Sequence, residues 1–326
     1  MQLVLDKYGA MLRVKDGRFY VRTEDQKQLI PMSKVKSIML SRSTMVSAEA
    51  IAGAVEREID LFFVERSGQP FARIWSNRYG SIATIRKNQL AFSHSAEAVG
   101  WVKELLSHKL DNQCALLIGL GSPGGATEQL IQSTVDKIKG FQEKIRQLAS
   151  QDLKAAAGAL RGWEGNASRL YFSCISKHLP EAYRFDKRSK RPAMDMFNCL
   201  LNYSYGMLYN EVESALIRAG IDPYAGIFHR DEYNRPVLAY DVIERFRVWA
   251  EYPVIDLCLQ QVIFPEFFDV EDGEYWLNAA GKRILIQSVN DYWEETVTID
   301  RKTRARRNHI RLYAESLANL FKNFNP

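Results

Sequence analysis

The stretch MLRVKDGRFYVR, residues 11–22, decides the fold class of the N-terminal part of this 326-residue chain. Two runs that mix apolar and polar residues flank Asp16 and Gly17, and an Asp-Gly pair supplies the positive φ angles that a tight two-residue turn demands. The stretch therefore predicts a β-hairpin. The surrounding sequence predicts strands at 35–40, 59–64 and 71–75 and a short helix at 47–57.

The sequence changes character after residue 80. Segments with apolar residues at helical spacing follow, for example Val99, Val102 and Leu106. We expect further helices at 160–179, 194–219, 240–251, 253–264, 276–296 and 302–323, and an acidic, turn-rich stretch at 267–276. The predicted fold class is α+β, a small N-terminal β-rich domain followed by a large all-α C-terminal domain. The predicted boundaries are 1–85 for the β domain, 86–94 for a hinge and 95–326 for the helical domain.

The composition is that of an ordinary globular protein, with 46% hydrophobic and 25% charged residues. The 44 basic and 39 acidic residues give a net charge of +5, a mild bias toward an anionic partner. The four cysteines form no CxxC pair, and no apolar run reaches the roughly 18 residues of a membrane helix. The N-terminus lacks a secretory pattern. We therefore expect a cytoplasmic protein with no membrane partner.

Three segments hold residues that could carry chemistry. Glu164 lies between two glycines, close to small residues that leave room beside a carboxylate; the alternative is a solvated glutamate in the first turn of a helix. His229 follows an apolar run, and the alternative is a structural histidine. Asp241 and Glu244 are spaced i, i+3 and share one helix face; the alternative is a surface acidic turn paired with neighbouring arginines.

Taken together, these residues suit a metal site. One imidazole and two or three carboxylates favour a hard divalent ion such as Mg²⁺ or Mn²⁺. Thiolates are absent from the set, which counts against structural zinc. An ion of this kind polarises a phosphodiester and stabilises charge on its oxygens, so the pattern favours phosphodiester chemistry.

Basic residues are concentrated in three stretches, at 72–87, 183–191 and 301–314. These hold 15 of the 44 basic residues and one of the 39 acidic ones. Each stretch alone is compatible with a solvated face, but a groove that used several of them would bind phosphates in a salt-dependent way.

The order of these motifs resembles the Cas1 family, the CRISPR-associated endonuclease/integrase of spacer acquisition, over nearly the whole chain. Single pieces are weak, but their joint order and spacing are specific. The matching elements are Arg86 and Gln89; Gly162-x-Glu164-Gly165-x-Ala167; Arg191-Pro192; Asn198-x-x-Leu201-Asn202-Tyr203; Gly220-Ile221-Asp222-Pro223 to His229; and Asp241-x-x-Glu244-x-Phe246-Arg247.

The resemblance implies that Glu164, His229 and Glu244 hold one Mg²⁺ or Mn²⁺ ion, with Asp241 as a supporting catalytic acid. Some members have Asp at the position of Glu244, which leaves Asp241 as an alternative direct ligand. The implied reaction is a transesterification in which the 3′-hydroxyl of a short DNA fragment joins the CRISPR repeat. Plain endonuclease activity would use the same site.

The resemblance also implies partners. These are DNA that is double-stranded, branched or carries 3′ overhangs, a second copy of the chain bound through the β domain, and the small second adaptation protein, Cas2. Two alternatives remain: a non-catalytic nucleic-acid-binding assembly module, and a transposon-encoded integrase with the same chemistry. The candidate DNA-binding residues are Arg73, Arg78, Arg86, Arg188, Lys190, Arg191, Tyr203 and Arg247.

Overall fold

The computed structural model describes residues 1–65, 68, 70–74, 83–121, 126–229 and 235–325. The chain divides into two units, Met1–Gly80 and Ser81–Pro326. The first is rich in strands and the second is mainly helical, so the predicted α+β class is confirmed.

The described residues of the first unit form two four-stranded sheets and one α-helix. One sheet has the order β1-β5-β7-β8, in which β1, β5 and β7 are parallel and β8 is antiparallel. The other has the order β4-β3-β2-β6. The elements are β1 Gln2–Leu5, β2 Met11–Lys15, β3 Arg18–Arg22, β4 Lys27–Pro31, β5 Ser37–Leu40, β6 Met45–Val46, α1 Ala48–Glu56, β7 Asp60–Val64 and β8 Pro70–Ile74.

The predicted hairpin at residues 11–22 is confirmed. Strands β2 and β3 pair in antiparallel register, and Asp16 and Gly17 between them have φ angles of 51° and 67°. Both angles are positive, as a turn of this type requires. Leu12 and Phe19, on the inner face of the hairpin, are fully buried in one core with side chains of α1 and the other sheet. Burial of this face fixes the register of the strands.

The second unit is built on helices of 7 to 26 residues. Its helices are α2 Ala83–Ser93, α3 Ala96–Leu120, α4 Ala126–Gln147, α5 Leu153–His178, α6 Met196–Arg218, α7 Val237–Ile243, α8 Val248–Leu259, α9 Ala279–Glu294 and α10 Arg306–Asn323. Two antiparallel hairpins interrupt them, formed by β9 Phe268–Glu271 with β10 Glu274–Leu277 and by β11 Thr296–Ile299 with β12 Lys302–Ala305. None of the described helices is long and apolar enough to cross a membrane.

The structure corrects several predicted boundaries. Residues 86–93 of the predicted hinge, 86–94, belong to helix α2, which begins at Ala83. The stretch 267–276, predicted to be turn-rich, contains the β9–β10 hairpin, whose turn is again an Asp-Gly pair, Asp272 and Gly273, with positive φ angles. The predicted helices at 276–296 and 302–323 each begin a few residues later, because a strand occupies the first positions.

Helix α8 continues through Pro253, where the sequence predicts a break. Proline has no N–H to donate to the carbonyl four residues earlier, that of Trp249. The indole Nε1 of Trp293 on α9 donates to this carbonyl at 2.9 Å and so replaces the missing hydrogen bond. Tertiary packing therefore permits helix α8, Val248–Leu259, to continue past the predicted boundary at residue 252. The break between the two helices lies instead at the 3₁₀ turn Glu244–Phe246.

Candidate active site

Two carboxylates from different elements meet at one ammonium group. Glu164 lies in the middle of α5, and Glu244 lies in a 3₁₀ turn, Glu244–Phe246, that directly follows α7. The Lys109 Nζ, from α3, pairs with Glu164 Oε1 and lies 2.6 Å from Glu244 Oε2. The side chain of Lys109 is only 5% exposed. Three separate elements therefore place two acids on a single cation position.

Arg247 completes the charge balance of this pair. Its guanidinium donates to Glu244 Oε1 at 2.6 Å. Burial alone would raise the pKa of Glu244, but the charges of Arg247 and Lys109 and their hydrogen bonds hold that pKa well below its usual range. Ionised Glu244 therefore stabilises the folded chain at pH values above the ordinary pKa of a glutamate, and this contribution is lost as the pH falls below that value.

His229 is oriented by the fully buried carboxylate of Asp241. The Nδ1 of His229 lies 2.6 Å from Asp241 Oδ1, which also accepts the backbone N–H of His229 at 2.8 Å. The other carboxylate oxygen accepts the N–H groups of Ile227 and Phe228. Both oxygens of Asp241 are thus occupied, and the hydrogen bond at Nδ1 leaves Nε2 as the nitrogen for a ligand. This geometry favours Glu244 over Asp241 as the direct metal ligand.

Contacts between elements hold the His229 segment and the acid pair in place. Arg161, one turn before Glu164 on α5, donates to the carbonyl of Phe228 at 3.0 Å. Asn112 of α3 donates to the carbonyl of Arg245, in the turn that carries Glu244, at 3.0 Å. Backbone acceptors are rigid partners, so these bonds fix the relative positions of α3, α5 and the segments that follow α6.

Gln89 fixes the loop that leads to His229. Its Nε2 donates to the carbonyls of Asp222 and Ala225 at 2.7 and 2.9 Å, and its Oε1 accepts the N–H of Asp222 at 3.1 Å. The amide is 1% exposed. The Arg-x-x-Gln element of the sequence therefore has a clear structural role at its glutamine.

The acid pair provides part of a donor set for a divalent cation. Across the described ranges, no three His, Cys, Asp or Glu side chains are grouped closely enough to hold a metal ion. Two of the three predicted ligands, Glu164 and Glu244, do converge on one cation position, which Lys109 fills. Within the same ranges, Glu244 Oε2 is buried without an aligned hydrogen-bond donor, although the Lys109 ammonium forms an ion pair with it. The carboxylate pair suits a hard cation such as Mg²⁺ or Mn²⁺.

A second buried carboxylate, that of Glu251, binds two tyrosine hydroxyls close to Arg247. Glu251 of α8 accepts the hydroxyls of Tyr171 at 2.7 Å and Tyr205 at 2.5 Å. The Arg247 guanidinium lies 4.9 Å from the ring centre of Tyr205, and that of Arg188 lies 5.8 Å from it. We call Tyr171, Tyr205 and Glu251 the tyrosine layer. Cation–π contacts with the Tyr205 ring, and the carboxylate at its hydroxyl, hold the two arginines against this layer.

Five candidate DNA-binding residues of the second unit fall into two groups by their exposure. Arg86, Lys190 and Arg191 are exposed. Partial desolvation, and then the charges of Arg247 and Arg188, lower the pKa of Lys190, and the charge of Glu244 opposes this change. Arg188 and Arg247 are partly buried in the tyrosine layer.

Three other candidates are placed differently. The side chain of Arg73 is 5% exposed and pairs with Asp60 at 2.5 Å, and Tyr203 is 4% exposed. Burial gives both side chains a packing role in this chain, and their DNA contact stays a prediction. Arg78 lies outside the described residues. In the basic stretch 301–314, Arg307 is buried and pairs with Glu211, so this stretch is not simply a cationic surface.

The structure also corrects the local setting of Glu164. Helix α5 begins at Leu153, so Glu164 is an interior residue and the helix N-terminus does not stabilise it. Lys109 is not among the site residues predicted from the sequence. It follows Val102, Leu105 and Leu106 on the buried face of α3, and a lysine in such an apolar stripe is the signal that would have identified it.

Gly226→Ala is expected to displace the His229 segment. A Cβ at this position would lie 2.7 Å from the carbonyl oxygen of His229 and 2.9 Å from Val237 Cγ2, closer than real contacts allow. We expect a loss of about 1–3 kcal/mol in the free energy of unfolding. Thermal unfolding measures it, with Gly140→Ala as control, since a Cβ there meets no described atom within 4 Å. An unchanged unfolding midpoint for Gly226→Ala would contradict this placement.

Comparison with known sequences identifies the family. Residues 3–291 match the family described as CRISPR associated protein Cas1. A CRISPR-associated endonuclease Cas1 from Archaeoglobus fulgidus is 28% identical over 319 residues, which cover 94% of this chain and 90% of that protein. One from Thermus thermophilus is 29% identical over 295 residues, which cover 88% and 85%.

Comparison with solved structures gives the same fold. A CAS1 protein from Thermotoga maritima matches with a TM-score of 0.82 at 20% identity, covering 99% of this chain and 97% of that one. A casposase bound to an integration product matches with a TM-score of 0.82 at 20% identity, covering 98% and 90%. A Cas6-RT-Cas1–Cas2 complex matches with a TM-score of 0.79 at 24% identity, where this chain spans 35% of the larger chain. The match over residues 3–291, together with the acid and imidazole groups at the family's motif positions, shows that the chain belongs to the Cas1 family of CRISPR-associated endonucleases.

Proposed function

We propose that this chain is a divalent-metal-dependent DNA integrase and endonuclease of CRISPR adaptation. The observation that carries the proposal is the convergence of Glu164 and Glu244 on one cation position, with His229 oriented by Asp241. The relatives named as endonucleases and the neighbour bound to an integration product support the same reaction class.

The proposed reaction joins a DNA fragment to a target strand. The 3′-hydroxyl oxygen of the fragment forms a bond to a target phosphorus, and the bond from that phosphorus to the target's own 3′-oxygen breaks. The hydroxyl proton is released, and the departing oxygen takes up a proton. One phosphodiester is made for each one broken, so the step needs no added energy source. With water as the nucleophile, the same geometry gives strand cleavage.

Glu164, Glu244 and the Nε2 of His229 would hold the Mg²⁺ or Mn²⁺ ion. Such an ion supplies Lewis-acid polarisation of the phosphodiester and stabilises charge on its oxygens. The protein's own contribution is orientation: Asp241 fixes the imidazole, and Arg247 fixes one carboxylate oxygen of Glu244. Preorganised groups of this kind lower the barrier because they need no rearrangement during the reaction.

Exposed cations of the helical unit are suited to contact DNA. Lys190 and Arg191 follow the partly buried Arg188, and Arg86 is exposed on α2. We assign these exposed residues to phosphate binding, which predicts that affinity for DNA falls with rising salt. The DNA would be double-stranded, branched or carry 3′ overhangs.

The assembly is proposed in the same terms. The neighbour that contains Cas1 and Cas2 supports a Cas2 partner for this chain. The homodimer formed through the β-rich unit is proposed from the family resemblance alone. The activity belongs in the cytoplasm, where the DNA substrates are. The integration-product neighbour fits a transposon-encoded integrase equally well, and CRISPR repeats next to the gene would distinguish the two.

His229→Ala is expected to abolish strand transfer on a branched DNA substrate while the protein stays dimeric. The variant removes the imidazole that Asp241 orients. The predicted dimer contacts lie in the β-rich unit, far from residue 229 in the sequence. Product formation on denaturing gels and light scattering measure the two properties. Strand transfer near the wild-type rate would contradict the proposed site, and a monomeric variant would contradict the proposed dimer surface.

A further inference from the structure

Lys109 is a buried cation within the acid site. It lies on the face of α3 that also buries Leu105, Leu106 and Leu110, and its side chain is 5% exposed. Lysine is almost never buried without an anionic partner. Here it has two, one from α5 and one from the 3₁₀ turn after α7.

The charges of this cluster already balance without a metal. Glu164 and Glu244 carry two negative charges, and Lys109 and Arg247 carry two positive ones. Arg247 binds Oε1 of Glu244. The ammonium of Lys109, which also pairs with Glu164, lies at Oε2. A divalent ion added to this arrangement would bring two uncompensated positive charges into a buried site, which is strongly unfavourable.

We propose that Lys109 is an internal counter-ion that occupies the divalent cation's position, and that metal binding requires its ammonium to leave that position. The inference rests on the proposed function, because it takes the acid pair to be the metal site. Lys109 is then a competitor of the metal within the chain: it holds the two carboxylates together while the ion is absent and lowers the affinity for the ion.

The competition sets the direction of a measurable change. A ligand that must displace an internal group binds more weakly by the free energy of that displacement. Replacing Lys109 by an uncharged residue removes the competitor and the repulsion between the ammonium and the ion. The same replacement leaves Glu164 without its main cation in the metal-free chain, so the metal-free protein becomes less stable.

Mn²⁺ titration followed by electron paramagnetic resonance tests the proposal. We compare the wild type with Lys109→Met, with Lys103→Met as control and Glu164→Gln to identify the site. Lys103 is a lysine of the same helix that donates to the carbonyl of Leu148 and to no carboxylate in the described structure. We expect Lys109→Met to bind Mn²⁺ at least about tenfold more tightly than the wild type, Lys103→Met to match the wild type, and Glu164→Gln to lose the site.

Two further readouts keep the proposal open to refutation if Lys109→Met folds poorly. Lys109→Gln should show the same gain in affinity, and both variants should gain more in thermal midpoint from Mn²⁺ than the wild type does. In the wild type, Mn²⁺ should increase the labelling of Lys109 by an amine-reactive reagent.

The outcomes separate the inference from the proposed function. Unchanged or weaker Mn²⁺ binding by the Lys109 variants, with a wild-type site that Glu164→Gln removes, overturns the counter-ion role and leaves the metal site intact. An absence of Mn²⁺ binding by the wild type and by Lys109→Met overturns the proposed metal site itself, and the inference falls with it.

Discussion

Glu164→Gln is expected to reduce DNA strand transfer at least about 10³-fold while leaving DNA affinity unchanged. The substitution keeps the size and shape of the side chain and its hydrogen-bonding partner Ser168, which donates to Oε1 at 2.7 Å. It removes one of the two charges that converge on the cation position. Joined product on a denaturing gel and fluorescence anisotropy with labelled DNA measure the two quantities.

The control is Glu143→Gln on α4, an exposed residue that bonds Gln147 of its own helix. It removes the same charge from a solvent-exposed position and should leave strand transfer unchanged. Strand transfer by Glu164→Gln at the wild-type level would instead support the non-catalytic assembly module, in which the acidic cluster serves only to hold the helices together.

Asp241→Ala is expected to have the largest effect on stability. The buried carboxylate accepts three backbone N–H groups and the imidazole of His229, and all four lose their acceptor in the variant. Each buried donor left unsatisfied costs about 1–3 kcal/mol, so we expect a loss of at least about 3 kcal/mol in the free energy of unfolding. Strand transfer should be abolished as well, because His229 loses its orientation.

Denaturant unfolding measures this loss, with Asp136→Ala as the matched control. Asp136 is an exposed carboxylate on α4 that accepts a hydrogen bond from Gln132, and its removal should change stability by less than about 0.5 kcal/mol. A midpoint for Asp241→Ala equal to that of the control would show that the carboxylate does not hold the His229 segment.

Local turn chemistry made part of the fold predictable. The pair Asp16 and Gly17 predicts the β2–β3 hairpin with its register, because only one geometry satisfies both the turn and the alternation of buried residues. Asp272 and Gly273 carry the same signal, but their strands are only four residues each and three of the four residues of β9 are exposed, so the surrounding helical periodicity obscures them. Pro253 shows the opposite limit, since the hydrogen bond from Trp293 that permits its helix comes from a separate helix.

The acids and the imidazole of the site were predictable, but their connections were not. The motif order indicates Glu164, His229, Asp241 and Glu244. It does not indicate which of the last two is the direct ligand, because that depends on which carboxylate oxygens already accept backbone N–H groups. Lys109 lies 55 positions before its partner Glu164 and in a helix with no other catalytic signal. Only the packing of α3 against α5 brings the two together.

The most direct test of the proposed function is the joining of a labelled DNA fragment to a duplex that contains a CRISPR repeat. The wild-type protein is given a fragment with either a free or a blocked 3′-hydroxyl, with Mn²⁺ or with a chelator. The proposed function predicts a joined product only with the free hydroxyl and Mn²⁺ together. A product formed from the blocked fragment or in chelator, or DNA binding without a product under any of these conditions, would contradict it.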